Sequence, residues 1–179
     1  MRRARVYVAL LMGILLIFSG CGEREPPPSA SEVLAAMQAV MEDTAQILPE
    51  GLVYTRASSP TDPGYLNDTL FSALYGETAR GLLADEPSEG SVISDAALFL
   101  SVAPYPCELA VFRCSDTRGA SSVARLCRGR LDTIRRGFAA GEWADVAAGG
   151  QVVVQGCYVL LAVAEDPHAI LHEVKGWLP

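Results

Sequence analysis

Apolar and polar residues recur along the chain with two different periods, and the changes of period divide it into predicted helices and strands. Residues 31–47 have a near-helical period, and Ser29 followed by Glu32 has the spacing of a capping box, which predicts a helix start at this point. A second, short amphipathic helix is predicted to end at Gly76. The N-terminal part of the predicted domain is therefore helical.

The rest of the chain alternates between strand and helix patterns. Residues 96–102 and 108–114 are rich in branched and aromatic side chains, and a short connection joins them as a hairpin. Residues 119–140 return to a helical period, strands are predicted at 151–154 and 157–164, and Asp166-Pro167 opens a last helix. The order α-α-β-β-α-β-β-α predicts an α+β domain, with an antiparallel sheet of about four strands packed against helices. The predicted core residues of that sheet are Leu109, Val111, Phe112, Val159, Leu161 and Val163.

The first twenty residues have the pattern of an export signal. Three arginines among the first five residues precede an apolar or small run that ends at Gly20. Phe18-Ser19-Gly20-Cys21 then resembles the bacterial lipoprotein signal, which implies a lipid on the Cys21 thiol and cleavage before it. The alternatives are an uncleaved anchor and a plain secreted protein. We expect residues 1–20 to be the signal peptide, 21–30 the lipidated cysteine and Pro-rich tether, and 31–179 a single domain.

Composition and charge limit the classes of partner that the protein is expected to bind. With 50% hydrophobic and 20% charged residues, the chain fits one ordinary domain plus appendages. The formal net charge of −7 argues against a nucleic-acid binder, because such proteins need a clustered basic surface. Removal of the signal peptide leaves 11 basic and 21 acidic residues, so the mature chain is not expected to bind anionic lipid through its charge. Attachment to the membrane must then come from acyl chains such as palmitate. Three prolines favour an extended tether of at most about 28 Å.

Four cysteines remain once Cys21 carries lipid, and they lie at positions 107, 114, 127 and 157. An exported chain can keep disulfides, and four cysteines permit three pairings. Cys114 ends one predicted strand and Cys157 begins another, so antiparallel neighbours would bring this pair together. Cys127 lies on the apolar face of its helix and fits a buried thiol equally well. The absence of a CxxC motif gives no support to a thioredoxin-like or zinc site.

His168 and His172 are four residues apart on the last predicted helix, a spacing at which two imidazoles can share a metal ion. Ile170, Val174 and Trp177 are expected to face the sheet, which would turn both imidazoles toward water. We therefore predict no metal, no cofactor and no catalytic residues. The sequence also lacks the Gly-x-Ser-x-Gly and Ser-x-x-Lys motifs of nucleophilic hydrolases.

Several short motifs occur in an order that resembles a known family. They are the lipoprotein signal, a Pro-containing tether, a helix followed by Leu-Pro, Leu74-Tyr75-Gly76, the strand Glu108-Leu-Ala-Val-Phe and Gly156-Cys-Tyr158-Val-Leu-Leu. Together they resemble the small Firmicute-type lipoproteins of domain of unknown function 4358 over residues 31–178. The resemblance implies a location and a fold but no catalytic residues. The four cysteines and the preference for arginine over lysine depart from that family.

These observations lead to one functional hypothesis and one alternative. We expect a lipoprotein anchored at the cell membrane on its extracytoplasmic face, whose domain is a non-catalytic module that binds an envelope protein or polymer. The alternative is an envelope enzyme or a weak metal-binding protein that uses His168 and His172. A deep cleft with converging polar side chains would favour the enzyme, whereas an exposed apolar patch would favour the interaction module.

Overall fold

A computed structural model describes residues 26–83, 91–102 and 104–179. The predicted signal peptide and Cys21 lie outside these residues. Among the helices described, none combines the length and the apolar character needed to cross a membrane.

The centre of the fold is one antiparallel sheet of five strands, so the predicted number of four is wrong. The strands are β1 (Gly51–Thr55), β2 (Ile93–Ser101), β3 (Glu108–Cys114), β4 (Gln151–Gln155) and β5 (Tyr158–Val163). Their order across the sheet is β1-β2-β3-β5-β4, with every neighbouring pair antiparallel. The unpredicted strand β1 lies at the edge, where it pairs only with β2 within the sheet.

Helices cover both faces of the sheet. They are α1 (Ala30–Asp43), α2 (Asp68–Tyr75), α3 (Thr117–Gly137), α4 (Ala144–Gly149) and α5 (Pro167–Lys175), with a short 3-10 turn at Glu77–Ala79. The α+β class is confirmed, but the predicted element order lacked both β1 and α4. The first helix also ends at Asp43 rather than at residue 47, because the chain turns at Ala45 with a positive φ of 55°.

Side-chain caps fix where the longer helices begin. The predicted capping box at α1 is confirmed: the Glu32 amide donates to Ser29 Oγ at 3.2 Å, and the Ser29 amide donates to Glu32 Oε2 at 2.7 Å. Asp116 caps α3 by accepting from the Gly119 amide at 2.6 Å. Each cap satisfies amide groups that the first helical turn would otherwise leave unpaired.

Two hydrophobic cores lie on opposite faces of the sheet. On one face α2 and α3 cover a core in which Phe112 packs against Phe71 and Tyr75, with ring centroids 5.4 Å apart in both pairs. On the other face α1 and α5 cover a second core that includes Leu109 and Val111. All six predicted core residues are fully buried, as expected.

The prediction that Trp177 faces the sheet is wrong, because its side chain is 59% exposed. Helix α5 ends at Lys175, so the helical spacing that places Ile170 and Val174 in the core no longer applies two residues later. Leu178, the next residue, is buried instead.

The last residues of the predicted tether are attached to the domain. The Tyr158 hydroxyl donates to the Pro28 carbonyl at 2.6 Å, and the Ala30 amide donates to Asp95 Oδ2 at 2.8 Å. Tyr158 begins β5 and lies opposite Arg113 of β3 in the register. The chain therefore enters the domain at the end of the sheet where β3 ends and β5 begins.

Candidate functional site

A buried ion pair lies at the other end of β3. Glu108, the first residue of that strand, is only 3% exposed. The Arg130 guanidinium of α3 donates two hydrogen bonds to Oε2 of the Glu108 carboxylate, from Nη2 at 2.7 Å and from Nε at 2.9 Å. The Tyr75 hydroxyl, at the end of α2, donates to Oε1 at 3.1 Å. Side chains from two helices, α2 and α3, thus contact one carboxylate of β3.

The local sequence explains this geometry. Glu108 lies on the same side of β3 as Ala110 and Phe112, the side that α2 and α3 cover. Arg130 follows the buried Cys127 by three residues, so it borders the apolar face of α3 and reaches the sheet at its flank. Both charges lose water on burial, and good geometry with several hydrogen bonds is needed to offset that cost.

Sequence reasoning missed this pair. The sequence analysis places Glu108 only at the start of a predicted strand and assigns no role to Arg130. The available signal was an acidic residue directly before an apolar strand, which burial would force to find a cation. The position of Arg130 next to Leu131, at the edge of the apolar stripe, was the matching signal.

The electrostatics of the cluster fix the protonation states of Tyr75 and Arg130. Burial raises the pKa of the Tyr75 hydroxyl well above its ordinary value, and the Glu108 carboxylate adds to the rise. Burial alone would lower the pKa of Arg130, but hydrogen bonds and attraction to Glu108 outweigh it and raise that pKa. Tyr75 is consequently a neutral donor and Arg130 a fixed cation at physiological pH.

A cavity of about 150 Å³ opens beside the ion pair. Its lining is largely apolar around the two charges and consists of Leu100, Ser101, Tyr105, Pro106, Cys107, Glu108, Arg130, Ile134 and Phe138. The volume suits one ring or one branched side chain, well below the roughly 300–1,000 Å³ of a typical small-molecule site.

Exposed apolar side chains lie next to the cavity. Leu52 of β1 is opposite Leu100 in the register and is 56% exposed, and Val102, two residues beyond Leu100, is 55% exposed. Opposed residues and residues two apart share one face of a sheet. Helix α3 contacts β3, β4 and β5. The cavity therefore has an apolar margin.

The four described cysteines are all thiols in the structure. Burial raises the pKa of Cys107 and of Cys114 to about 12, and raises that of Cys127 well above its ordinary value. Such thiols stay protonated at neutral pH and are poor nucleophiles and poor metal ligands. The predicted Cys114–Cys157 disulfide stays a prediction, although the structure brings the two backbones together.

His168 and His172 lie on the exposed side of α5, with ring centroids 6.0 Å apart. They line a groove of about 460 Å³ together with Glu173 of the same helix and with Asp43 and Thr44 at the end of α1. Of the neighbouring carboxylates, Asp166 accepts from the Ala169 amide at 2.9 Å and thereby caps the helix. Within the described ranges, no three His, Cys, Asp or Glu side chains are grouped so that they could hold a metal ion.

Comparison with family models, with curated proteins and with solved structures gave no match to this chain. The resemblance to the lipoproteins of domain of unknown function 4358 stays a prediction from sequence motifs.

Proposed function

We propose that this protein is a lipoprotein anchored at the extracytoplasmic face of the cell membrane through lipid on Cys21, of the kind that the motifs resemble. Its domain is a non-catalytic binding module. The cavity beside Glu108 and Arg130, with its apolar margin, binds an apolar group of an envelope protein or polymer. The observation that carries this proposal is that the cavity and the tether lie at opposite ends of the same sheet.

Distances along the chain support this arrangement. The tether joins the domain next to Tyr158, whereas the cavity lies at Glu108, the far end of β3. Six residue steps along β3 span about 20 Å. Residues 21–28, if extended, add about 22 Å. A lipid on Cys21 would then leave the cavity up to about 40 Å from the membrane surface, where it can meet a partner that is not itself in the lipid.

The size and chemistry of the cavity support a binding role and indicate what it accepts. A cavity of about 150 Å³ accommodates one apolar side chain, and its lining includes the Arg130 guanidinium, whose N–H groups are hydrogen-bond donors. The ion pair with Glu108 leaves the floor of the cavity without net charge, which favours a neutral group over an anion. A small pocket that anchors one side chain is typical of an interaction surface.

Photo-crosslinking in intact cells tests the binding role. A photoreactive amino acid placed at Leu52, beside the cavity, should form a discrete adduct with an envelope component. The matched control is Val154, which is 40% exposed on the opposite edge strand and should form none. Mass spectrometry of the adduct distinguishes a protein partner from a polymer. Equal labelling from both positions, or no adduct from Leu52, would contradict the binding role of this end.

A further inference from the structure

Cys114 and Cys157 face each other across neighbouring strands. Cys114 is the last residue of β3, and Cys157 lies in the two-residue connection between β4 and β5. The Cys114 amide donates to the Cys157 carbonyl at 2.8 Å, and the next pair in the register is Arg113 opposite Tyr158. Opposed antiparallel residues joined in this way have Cα atoms about 5.5 Å apart, inside the range of about 4.4–6.8 Å that disulfides span.

The two side chains are on the same face of the sheet. Phe112 lies opposite Val159, and both belong to the core under α2 and α3. Cys114 and Cys157 are each two residues from one of these positions, and Cys114 belongs to the same core. Burial raises the pKa of the Cys114 thiol, and the Cys157 thiol contributes to that rise, which indicates that the two thiols are neighbours.

The other two cysteines are less suited to pair with either. Cys107 precedes β3 at its opposite end and belongs to the core on the other face of the sheet. Cys127 also lies near Cys114, whose thiol contributes to the raised pKa of Cys127, but it is completely buried within α3, where an oxidant in solution cannot reach it. Cys157 alone among the four described thiols is partly exposed.

We propose that Cys114 and Cys157 form an intramolecular disulfide when the protein meets an oxidant that is itself a disulfide. The Cys157 thiolate attacks one sulfur of the oxidant, so that a mixed disulfide forms and one thiolate leaves. The Cys114 thiolate then attacks the Cys157 sulfur and expels the second thiolate. Two protein thiols are oxidised, one disulfide is reduced to two thiols, and the two protons pass from the protein to those thiols.

This bond would reinforce the end of the domain at which the tether enters. It joins the end of β3, two residues before the α3 cap Asp116, to the connection that contains Gly156. It closes a loop of roughly 40 residues, and a loop of that length predicts a rise in Tm of about 10 °C. The buried Cys114 thiol makes the second step slow at neutral pH, and its rate should increase as pH rises.

The experiment uses the full chain purified in mild detergent and incubated with oxidised glutathione. Mapping of unreduced peptides by mass spectrometry should find Cys114 joined to Cys157, and Tm should rise by about 10 °C and return on reduction. The rise should be absent in Cys157→Ser and retained in Cys107→Ser. Peptides that join Cys114 to Cys127, or Cys157 held as a glutathione adduct while Cys114 stays a thiol, would overturn the proposal. The mapping needs no variant, and its result does not depend on the proposed binding function.

Discussion

Replacing Arg130 by Met should destabilise the protein through the carboxylate that it leaves behind. Glu108 would lose its three contacts with the guanidinium, at 2.7, 2.9 and 3.3 Å, and would keep only the Tyr75 hydroxyl as a side-chain donor. Breaking a buried pair in this way typically costs about 3–5 kcal/mol. Methionine has nearly the same helix propensity as arginine, so the backbone of α3 contributes little to the change.

Urea denaturation at pH 7 measures this effect. Arg128→Met is the matched control, because Arg128 is exposed on the same helix, and its replacement should change stability by less than about 0.5 kcal/mol. Adding Glu108→Gln to Arg130→Met should restore part of the loss, because the uncompensated charge is then removed. A cost for Arg130→Met below about 1 kcal/mol, or no recovery in the double variant, would refute the account of the pair as a buried charge that needs its partner.

Three further predictions test the packing and the titration of the domain. Phe112→Ala should lower the free energy of unfolding by about 3–5 kcal/mol in urea denaturation, because the ring is fully buried between Phe71 and Tyr75; an effect below about 1 kcal/mol would contradict this packing. Gly51→Ala should cost about 1–3 kcal/mol in the same assay, because an added Cβ would lie 2.6 Å from the backbone oxygen of Leu100, whereas Gly149→Ala, with no atom within 4 Å, should cost nothing; equal effects would argue against the close approach. Stability should decline as pH rises above about 10, because Tyr75 keeps its proton in the folded state and loses it in the unfolded state. Tyr75→Phe should reduce that decline in thermal melts measured over a pH series. An unchanged slope would show that Tyr75 is not the group responsible.

Features with local causes were predictable from the sequence. The capping box at Ser29 involves residues three apart, and the hairpin of β2 and β3 needs only a short connection. The apolar stripe of α3 repeats over a helix of 21 residues, long enough for its period to be unambiguous. These elements give the α+β class and most of the core.

Features with distant causes were not predictable. Strand β1 is short and half-exposed. It forms because it pairs with β2, beginning with Gly51 opposite Ser101, and no local sequence pattern indicates this pairing. The ion pair joins Glu108 to Arg130, which becomes its neighbour only when α3 folds back over the sheet. The candidate site depends on both, since β1 supplies Leu52 to its margin and the ion pair forms its floor.

Lipid labelling of Cys21 tests the central claim most directly. Cells that produce the protein are grown with a tagged palmitate, and the tag is measured on the purified protein and on its Cys21→Ser variant, with Cys107→Ser as a matched control. We predict label on the parent and on Cys107→Ser, and an unlabelled, unprocessed precursor for Cys21→Ser. Normal processing and labelling of Cys21→Ser, or a parent without label, would contradict the account of this protein as a lipoprotein.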